Sequence, residues 1–230
     1  MPTVRVSDVT LYYEVSGTGP PLVLIPGLAS DVSEWHAITD PLAEHFTVVA
    51  LDNRGAGRSD KPDAPYSIEQ MAGDAAGLIR AIGVAPATVL GVSMGGRIAL
   101  ALALDHPELV SRLILVSTGA HGVRRRRVGL LGLVSGLPIL RGKHPQPRYA
   151  FRHQRAATAA YNAVGRLGEI HVPTTIMHGK SDRTAPFALA EELHAGIAGS
   201  RLLTFEGGHI FFFFRERARF LDAVLEAAGG

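Results

Sequence analysis

The residues best suited to chemistry lie in the run VLGVSMGGRIALALAL. There Gly91, Ser93 and Gly95 form a Gly-x-Ser-x-Gly pattern between a predicted strand and a predicted helix, which is the context that this motif needs. Small residues two positions away let a serine occupy a strained turn, and the start of a helix favours developing negative charge. The pattern predicts a nucleophilic serine, and a glycine-rich turn with an incidental serine is the alternative.

A serine hydroxyl is a weak nucleophile at neutral pH, so it needs a base, and the base needs an orienting acid. His209 lies in FEGGHIFFFFRER, beside four phenylalanines, where the residues alone leave open whether it packs or acts as a base. His106 precedes a proline at a predicted helix end and His178 ends a predicted strand, so packing or loop bonding explains both. The histidines are scattered, and the glycine loops lack a P-loop lysine and the dinucleotide spacing, so we expect no metal and no cofactor.

The elements that must position such residues are short runs rich in Val, Leu and Ile. They are PLVLIPG, FTVVALD, ATVLGVS, LILVSTG, TTIMHG and SRLLTFEG. Their continuous apolar character is typical of strands buried on both faces of a parallel sheet, and longer helical segments separate them. TVRV and LYYEV, around SDVT, predict an N-terminal antiparallel hairpin. Ser67 with Gln70 resembles a capping box at a helix start. The alternation of strands and helices predicts a parallel sheet with helices on both faces.

The alternation of strands and helices stops between about Gly119 and Ala160. From Leu109 to Gly168 the chain holds eleven of its 23 Lys and Arg residues and none of its 21 Asp and Glu residues. This basic stretch could attract an anionic substrate, an acidic membrane or an acidic partner, and a solvated insertion is the plain alternative. We predict a core of residues 1–118 and 161–230 with a reduced basic cap at 119–160. We expect a comparatively open site, and a homodimer contact through the glycine-rich apolar part of the cap.

Composition limits the possible classes of protein. A chain of 230 residues with 47% hydrophobic and 19% charged residues is typical of one globular α/β domain. The absence of cysteine excludes disulfides, a cysteine nucleophile and thiolate metal sites, and fits a reducing cytoplasm. The N-terminus lacks the pattern of a signal peptide, and the apolar-rich run VGLLGLVSGLPIL is too short to cross a bilayer. We therefore expect a cytoplasmic protein with a small-molecule substrate, no membrane span and no nucleic-acid partner.

Four motifs, in order, make the chain resemble the α/β-hydrolase superfamily. They are the Gly-x-Ser-x-Gly turn, LDNRGAGRSDKP, VPTTIMHGKSDRTAP and FEGGHIFFFF. The resemblance covers nearly the whole chain outside the predicted cap. It implies an α/β-hydrolase fold with a mostly parallel eight-stranded sheet, an N-terminal antiparallel hairpin, helices on both faces and a short cap insertion.

The resemblance also implies a site, residue by residue. Ser93 matches the nucleophile, Asp182 the acid and His209 the base, in the family's chain order. Asp182 and His209 each follow a predicted parallel strand, so both would lie at the same sheet edge. Leu28, in LIPGLASD, and Met94 match the two backbone donors of an oxyanion hole. An Asx-type turn is the alternative for Asp182.

Two aromatic residues are candidates for substrate binding. Trp35 would line the acyl pocket or anchor the helix after the oxyanion loop. If Phe211–Phe214 begin the C-terminal helix, they point in directions about 100° apart, so some must pack while at least one faces the pocket, the cap or a partner. Phe211 is our candidate for the pocket. Pro26 stands where the family commonly has histidine, which leaves the hydrogen bonding of the oxyanion loop open.

The activity implied by the resemblance is cofactor-independent hydrolysis of carboxylic esters through an acyl-enzyme. A serine nucleophile argues against the family's dehalogenases and epoxide hydrolases, which use aspartate. A lactonase is an alternative, because LDNRGAGRSDKP also resembles enol-lactone hydrolases and the basic cap would suit a carboxylate-bearing lactone. Carbon–carbon hydrolases, perhydrolases and small-molecule receptors with little turnover are further alternatives. Asp52 and Arg54 in the LDNRG turn are expected to be structural.

Overall fold

One sheet of eight strands forms the centre of the protein. The computed structural model describes residues 2–123 and 144–229. The strands are Thr3–Val6 (β1), Val9–Ser16 (β2), Pro21–Ile25 (β3), Thr47–Leu51 (β4), Ala87–Val92 (β5), Val110–Val116 (β6), Thr174–Gly179 (β7) and Arg201–Phe205 (β8). Their order is β1-β2-β4-β3-β5-β6-β7-β8. β2 is antiparallel to β1 and to β4, and all other neighbours are parallel, so the predicted sheet and hairpin are confirmed.

Helices surround the sheet. The α-helices of the described ranges are His36–Ala43 (α1), Ile68–Ala81 (α2), Met94–Asp105 (α3), Arg148–Ala160 (α4), Ala188–Gly196 (α5) and Arg217–Ala228 (α6). Short 3-10 helices of the described ranges are Val32–Trp35, Pro107–Leu109, Val164–Glu169 and Phe211–Phe213. Val23 and Ile25 pack with residues of α2 and α3, whereas Leu22 and Leu24 pack with residues of α1 and α6. The central strands β3, β4 and β5 are almost continuously apolar because both of their faces are covered.

The start of α2 is capped as the sequence predicts. Ser67 has an extended backbone, and its Oγ accepts a hydrogen bond from Gln70 N at 3.0 Å. A cap of this kind contributes about 1 kcal/mol to helix stability. This helix cap fixes the first turn of α2. The buried Asp74 of the same helix accepts a hydrogen bond from Arg54 in the LDNRG turn.

Buried charged groups hold the LDNRG turn after β4. Asp52 Oδ1 accepts from Val32 N and Asp52 Oδ2 from Arg58 N, each at 2.7 Å. Arg54 is 2% exposed and donates to both carboxylate oxygens of Asp74, at 2.5 and 2.7 Å. These contacts constitute the structural role that the sequence predicts for Asp52 and Arg54.

Helix α4 packs onto the same turn through side-chain hydrogen bonds. Gln154 is fully buried and its Nε2 donates to Arg54 O at 2.8 Å. Tyr149 donates its hydroxyl proton to Lys61 O at 2.9 Å. The described end of the predicted cap is therefore joined to the core beside the turn that follows β4.

Part of the predicted cap lies outside the described residues. The structure describes 119–123 and 144–160 of the cap, but not the arginine run at 124–127 or the glycine-rich run at 128–140. Six of the eleven Lys and Arg residues of the basic stretch lie within 124–143, as does the predicted homodimer contact, so these parts of the predictions fall outside the described residues. Within 2–123 and 144–229, no helix is both long and apolar enough to cross a membrane.

The phenylalanine stretch does not begin the C-terminal helix, so the condition considered from the sequence is not met. The C-terminal helix α6 begins at Arg217, not at Phe211, and Phe211–Phe213 form a separate 3-10 turn. Phe211 stacks on Phe205 with ring centroids 4.5 Å apart, so packing against the sheet sets this turn. Phe214, at φ −120° and ψ −131°, leaves the helical path and is 66% exposed.

Candidate active site

Ser93 occupies a strained turn between β5 and α3. Its φ of 56° and ψ of −112° lie outside the regions that non-glycine residues usually adopt. A Cβ on Gly91 would lie 2.2 Å from Gly95 O, and a Cβ on Gly95 would lie 2.1 Å from Ile25 O. Neither position has room for a side chain. The glycines of the motif therefore allow the close approach that places Ser93 at the start of α3.

Ser93, His209 and Asp182 form a chain of hydrogen bonds. His209 Nε2 lies 2.9 Å from Ser93 Oγ, and His209 Nδ1 lies 2.7 Å from Asp182 Oδ2. The residues follow β5, β8 and β7, whose carboxyl ends lie at one edge of the sheet. With the Nδ1 proton donated to Asp182, Nε2 of the neutral ring accepts from the serine hydroxyl. This arrangement can remove the serine proton during nucleophilic attack.

Asp182 is held in its ionised form. Its Oδ1 accepts from Thr184 N at 2.7 Å and from Ala185 N at 2.9 Å. Burial favours the neutral acid, but hydrogen bonds from His178 and His209 outweigh it and hold the pKa of Asp182 well below its usual range. His178 Nε2 also lies 2.8 Å from Ala185 O, which is the loop bonding expected for this histidine. An ionised Asp182 orients His209 and stabilises its protonated form.

Leu28 lies in a tight turn after β3. Ser30 N donates to Gly27 O at 3.3 Å and closes the turn. Ala29 occupies the third position with φ 65°, where turns of this kind favour glycine. A Cβ on Gly27 would lie 3.6 Å from Ser93 Cβ, so the turn lies directly against the serine.

Two amides beside the serine donate to no acceptor within residues 2–123 and 144–229. Leu28 N makes no hydrogen bond within the described part of the chain, whereas the amides on either side of it donate to Glu34 Oε2 and Gln154 Oε1, each at 3.4 Å. Met94 is the first residue of α3, so its N–H has no acceptor within the helix. Free amides on both sides of the serine are what an oxyanion hole requires.

Glu34 and Gln154 are residues that the sequence did not single out. Burial raises the pKa of Glu34 to about 7, although hydrogen bonds from Ser30 and Gly27 oppose the rise. In the sequence, Glu34 is one acidic residue before a tryptophan, and Gln154 stands among arginines and alanines. From the sequence, Gln154 could have been identified as a buried polar residue only if the buried face of α4 had been known. No three His, Asp or Glu side chains in the described ranges are grouped to hold a metal ion.

The structure places Trp35 and Phe211 in the core. Trp35 is fully buried at the end of its 3-10 turn, which matches the anchoring alternative. Phe211 is 4% exposed and packs on Phe205. Neither is presented to solvent here, so substrate contact by these two residues stays a prediction. The exposed apolar side chains beside His209 are instead Ile210 and Phe214.

Comparisons with known proteins agree with this architecture. Residues 20–147 match the family described as the alpha/beta hydrolase fold. The chain is 30% identical to the putative carbamate hydrolase RutD of Azorhizobium caulinodans, over 92% of each protein. It resembles the enol-lactonase from Burkholderia xenovorans LB400, with TM-score 0.87 and 26% identity over 98% of each chain. It also resembles the esterase EaEST from Exiguobacterium antarcticum, with TM-score 0.86 and 28% identity over 99% of each chain. The protein belongs to the alpha/beta hydrolase family.

Proposed function

We propose that the protein is a serine hydrolase that cleaves carboxylic esters through an acyl-enzyme intermediate and needs no cofactor. The observation that supports this most is the hydrogen-bonded chain from Ser93 through His209 to Asp182. The strained backbone of Ser93 adds to it, as does the amide of Leu28, which has no acceptor in the described part of the chain. Each is a feature that acyl transfer uses.

In the proposed reaction, Ser93 Oγ attacks the ester carbonyl carbon while His209 Nε2 takes the hydroxyl proton. The amides of Leu28 and Met94 hold the oxyanion of the tetrahedral intermediate. When the intermediate collapses, the ester C–O bond breaks and His209 gives its proton to the leaving alcohol. Water, deprotonated by His209, then attacks the acyl group and releases the acid and free Ser93. Asp182 keeps the histidine in the required tautomer throughout.

The substrate class is proposed from the neighbours and from the cap. An esterase and an enol-lactonase are both similar to the whole chain, and RutD carries the name of a carbamate hydrolase. We propose that 119–160 is a reduced cap over a comparatively open site, which favours small or varied acyl groups. A lactonase is the second candidate, because the enol-lactonase has a TM-score of 0.87 with this chain. Dimerisation through the cap stays a prediction.

Hydrolysis of p-nitrophenyl acetate and butyrate tests the proposal. We expect turnover by the wild type and a decrease of about 10⁴-fold or more in Ser93→Ala, because triad members act as a unit. Ser111→Ala, which changes an exposed serine on β6, is the matched control and should retain activity. Near-normal hydrolysis by Ser93→Ala would contradict the proposal. Proton release measures the hydrolysis of a panel of lactones. If the wild type turns over neither these lactones nor the two esters, the alternative of a small-molecule receptor is favoured.

A further inference from the structure

Thr118, in the loop after β6, contacts the backbone of the reacting serine. Its side chain Oγ1 donates to Ser93 O at 2.7 Å, and the residue is 2% exposed. The backbone N of Ser93 donates to Val116 O at 2.9 Å. Both polar groups of the Ser93 backbone are therefore bonded to one short segment, residues 116–118.

Ser117, in the middle of that segment, has an uncommon backbone conformation. Its φ is 48°, in a region that non-glycine residues rarely adopt, and it is fully buried. Its backbone N donates to Met177 O at 3.0 Å, on β7, the strand that precedes Asp182. Strain of this kind persists where surrounding contacts fix it, and it is concentrated at functional sites. The segment thus connects Ser93 to the strand that carries the acid.

Gly96 makes room for the side chain of Thr118. A Cβ on Gly96 would lie 2.5 Å from Thr118 Cγ2 and 2.8 Å from Thr118 Oγ1. The φ of Gly96 is not in the left-handed region, so its backbone conformation does not require glycine. The close approach of Thr118 to the first turn of α3 is what excludes a side chain there.

The Thr118 hydroxyl bonds to the peptide that carries one of the proposed oxyanion donors. Ser93 C=O and Met94 N–H belong to one planar trans peptide, in which they point in opposite directions. A donor that fixes the Ser93 oxygen therefore also fixes the direction of the Met94 N–H. Gly96 N and Arg97 N also donate to Ser93 O, at 3.1 and 3.4 Å, but both belong to α3 and move with it. The shorter bond from Thr118 ties the same peptide to a different element.

We propose that Thr118 is a positioning residue of the oxyanion hole: its hydroxyl holds the Ser93 carbonyl and thereby orients the Met94 N–H toward the substrate oxygen. This inference rests on the proposed ester hydrolysis and adds a residue to it. A well-oriented donor stabilises the charged oxygen of the tetrahedral intermediate far more than the neutral carbonyl of the bound ester. Loss of the Thr118 hydroxyl should therefore lower kcat and leave KM nearly unchanged.

Hydrolysis of p-nitrophenyl butyrate by variants of Thr118 tests the role of the hydroxyl. Thr118→Val keeps the shape of the side chain, and we expect its kcat to fall about tenfold, less than when an oxyanion donor is deleted. Thr118→Ser keeps the hydroxyl and should stay within about threefold of the wild type. Thr118→Ala differs from Thr118→Ser by that hydroxyl alone and should lose kcat as Thr118→Val does. A wild-type kcat in Thr118→Val, or equal losses in Thr118→Ser and Thr118→Ala, overturns the inference.

Thr174→Val is the matched control for stability. Thr174 is 4% exposed, and its hydroxyl donates to Val172 O at 2.9 Å at the amino end of β7, the opposite edge of the sheet from the serine. Each valine variant removes one buried hydrogen bond, so each should lower the thermal midpoint by about 2–4 °C. Only Thr118→Val should lower kcat. An equal decrease of kcat in both variants would mean that lost stability, not positioning, is the cause, and would overturn the inference.

Binding of trifluoromethyl butyl ketone tests the same point without turnover. In the proposed site, Ser93 Oγ adds to the carbonyl carbon and His209 takes the serine proton, which leaves an oxyanion at the position of the ester oxygen. Fluorine NMR measures the affinity, and we expect Thr118→Val to bind the ketone about tenfold more weakly than the wild type. Methyl butyl ketone, which stays trigonal, should inhibit both proteins equally. Equal affinity of the fluorinated ketone for both proteins, no adduct with the wild type, or an equal loss for both ketones overturns the inference. Ester hydrolysis that depends on Ser93 would in each case leave the proposed function standing.

Discussion

Replacing Glu34 with glutamine tests the electrostatics of the turn that carries Leu28. Burial raises the pKa of Glu34 from 4.5 to about 7. The folded protein therefore binds this proton more tightly than the unfolded chain. Its stabilising effect is complete below pH 4.5 and is lost as pH rises through 7. The whole shift corresponds to about 3 kcal/mol, and partial solvent access to Glu34 lowers this to roughly 1–2 kcal/mol.

Urea unfolding of the wild type and Glu34→Gln at pH 5 and pH 8.5 measures this effect. Glutamine keeps an acceptor for Gly27 N and cannot ionise, so it does not lose stability as pH rises. The variant should gain about 1–2 kcal/mol over the wild type between the two pH values. Glu44→Gln removes an exposed carboxyl at the end of α1 and controls for the loss of one charge. An equal difference in unfolding free energy at both pH values would refute the reasoning.

Three further predictions concern the elements around the site. Asp74→Ala should lower the free energy of unfolding by about 3–5 kcal/mol in urea, because it leaves buried Arg54 without its main partner; a loss below about 1 kcal/mol would contradict this. Gln154→Met should lower kcat for p-nitrophenyl butyrate about tenfold, because it removes the acceptor of the Ala29 amide. Adding Ala29→Gly, which suits φ 65°, should restore part of the lost kcat, and no restoration would argue against a role of Gln154 in positioning the turn that carries Leu28. Phe214→Ser should change the free energy of unfolding by no more than about 0.5 kcal/mol, with a correspondingly small change in the thermal midpoint, because this side chain is exposed. A large decrease in the thermal midpoint would mean that the side chain is covered.

The parts of the structure that local sequence determines were predictable. The hairpin, the parallel strands and the cap of α2 follow from apolar runs and from residue types at fixed spacing. The turn at Ser93 was predictable because only glycine fits at Gly91 and Gly95. The motif order also brought Ser93, Asp182 and His209 forward as candidates, and in the structure His209 lies within hydrogen-bond distance of both Ser93 and Asp182.

The features that depend on distant contacts were not predictable. Phe211 begins a 3-10 turn because its ring meets Phe205 on β8, and no local pattern distinguishes that from the first turn of α6. Glu34 and Gln154 matter because they accept from amides beside Leu28, which only the folded chain brings to them. Thr118 matters because its hydroxyl donates to Ser93 O, a contact between residues that only the folded chain brings together.

Trapping the acyl-enzyme tests the central claim most directly. The wild type is mixed with p-nitrophenyl butyrate, quenched in acid during turnover, and examined by intact-mass and peptide mass spectrometry. We expect one butyryl group, on the peptide that contains Ser93, and none on Ser93→Ala. Ester turnover by the wild type that continues in Ser93→Ala, with no acyl group on Ser93 at any quench time, would contradict the proposed mechanism.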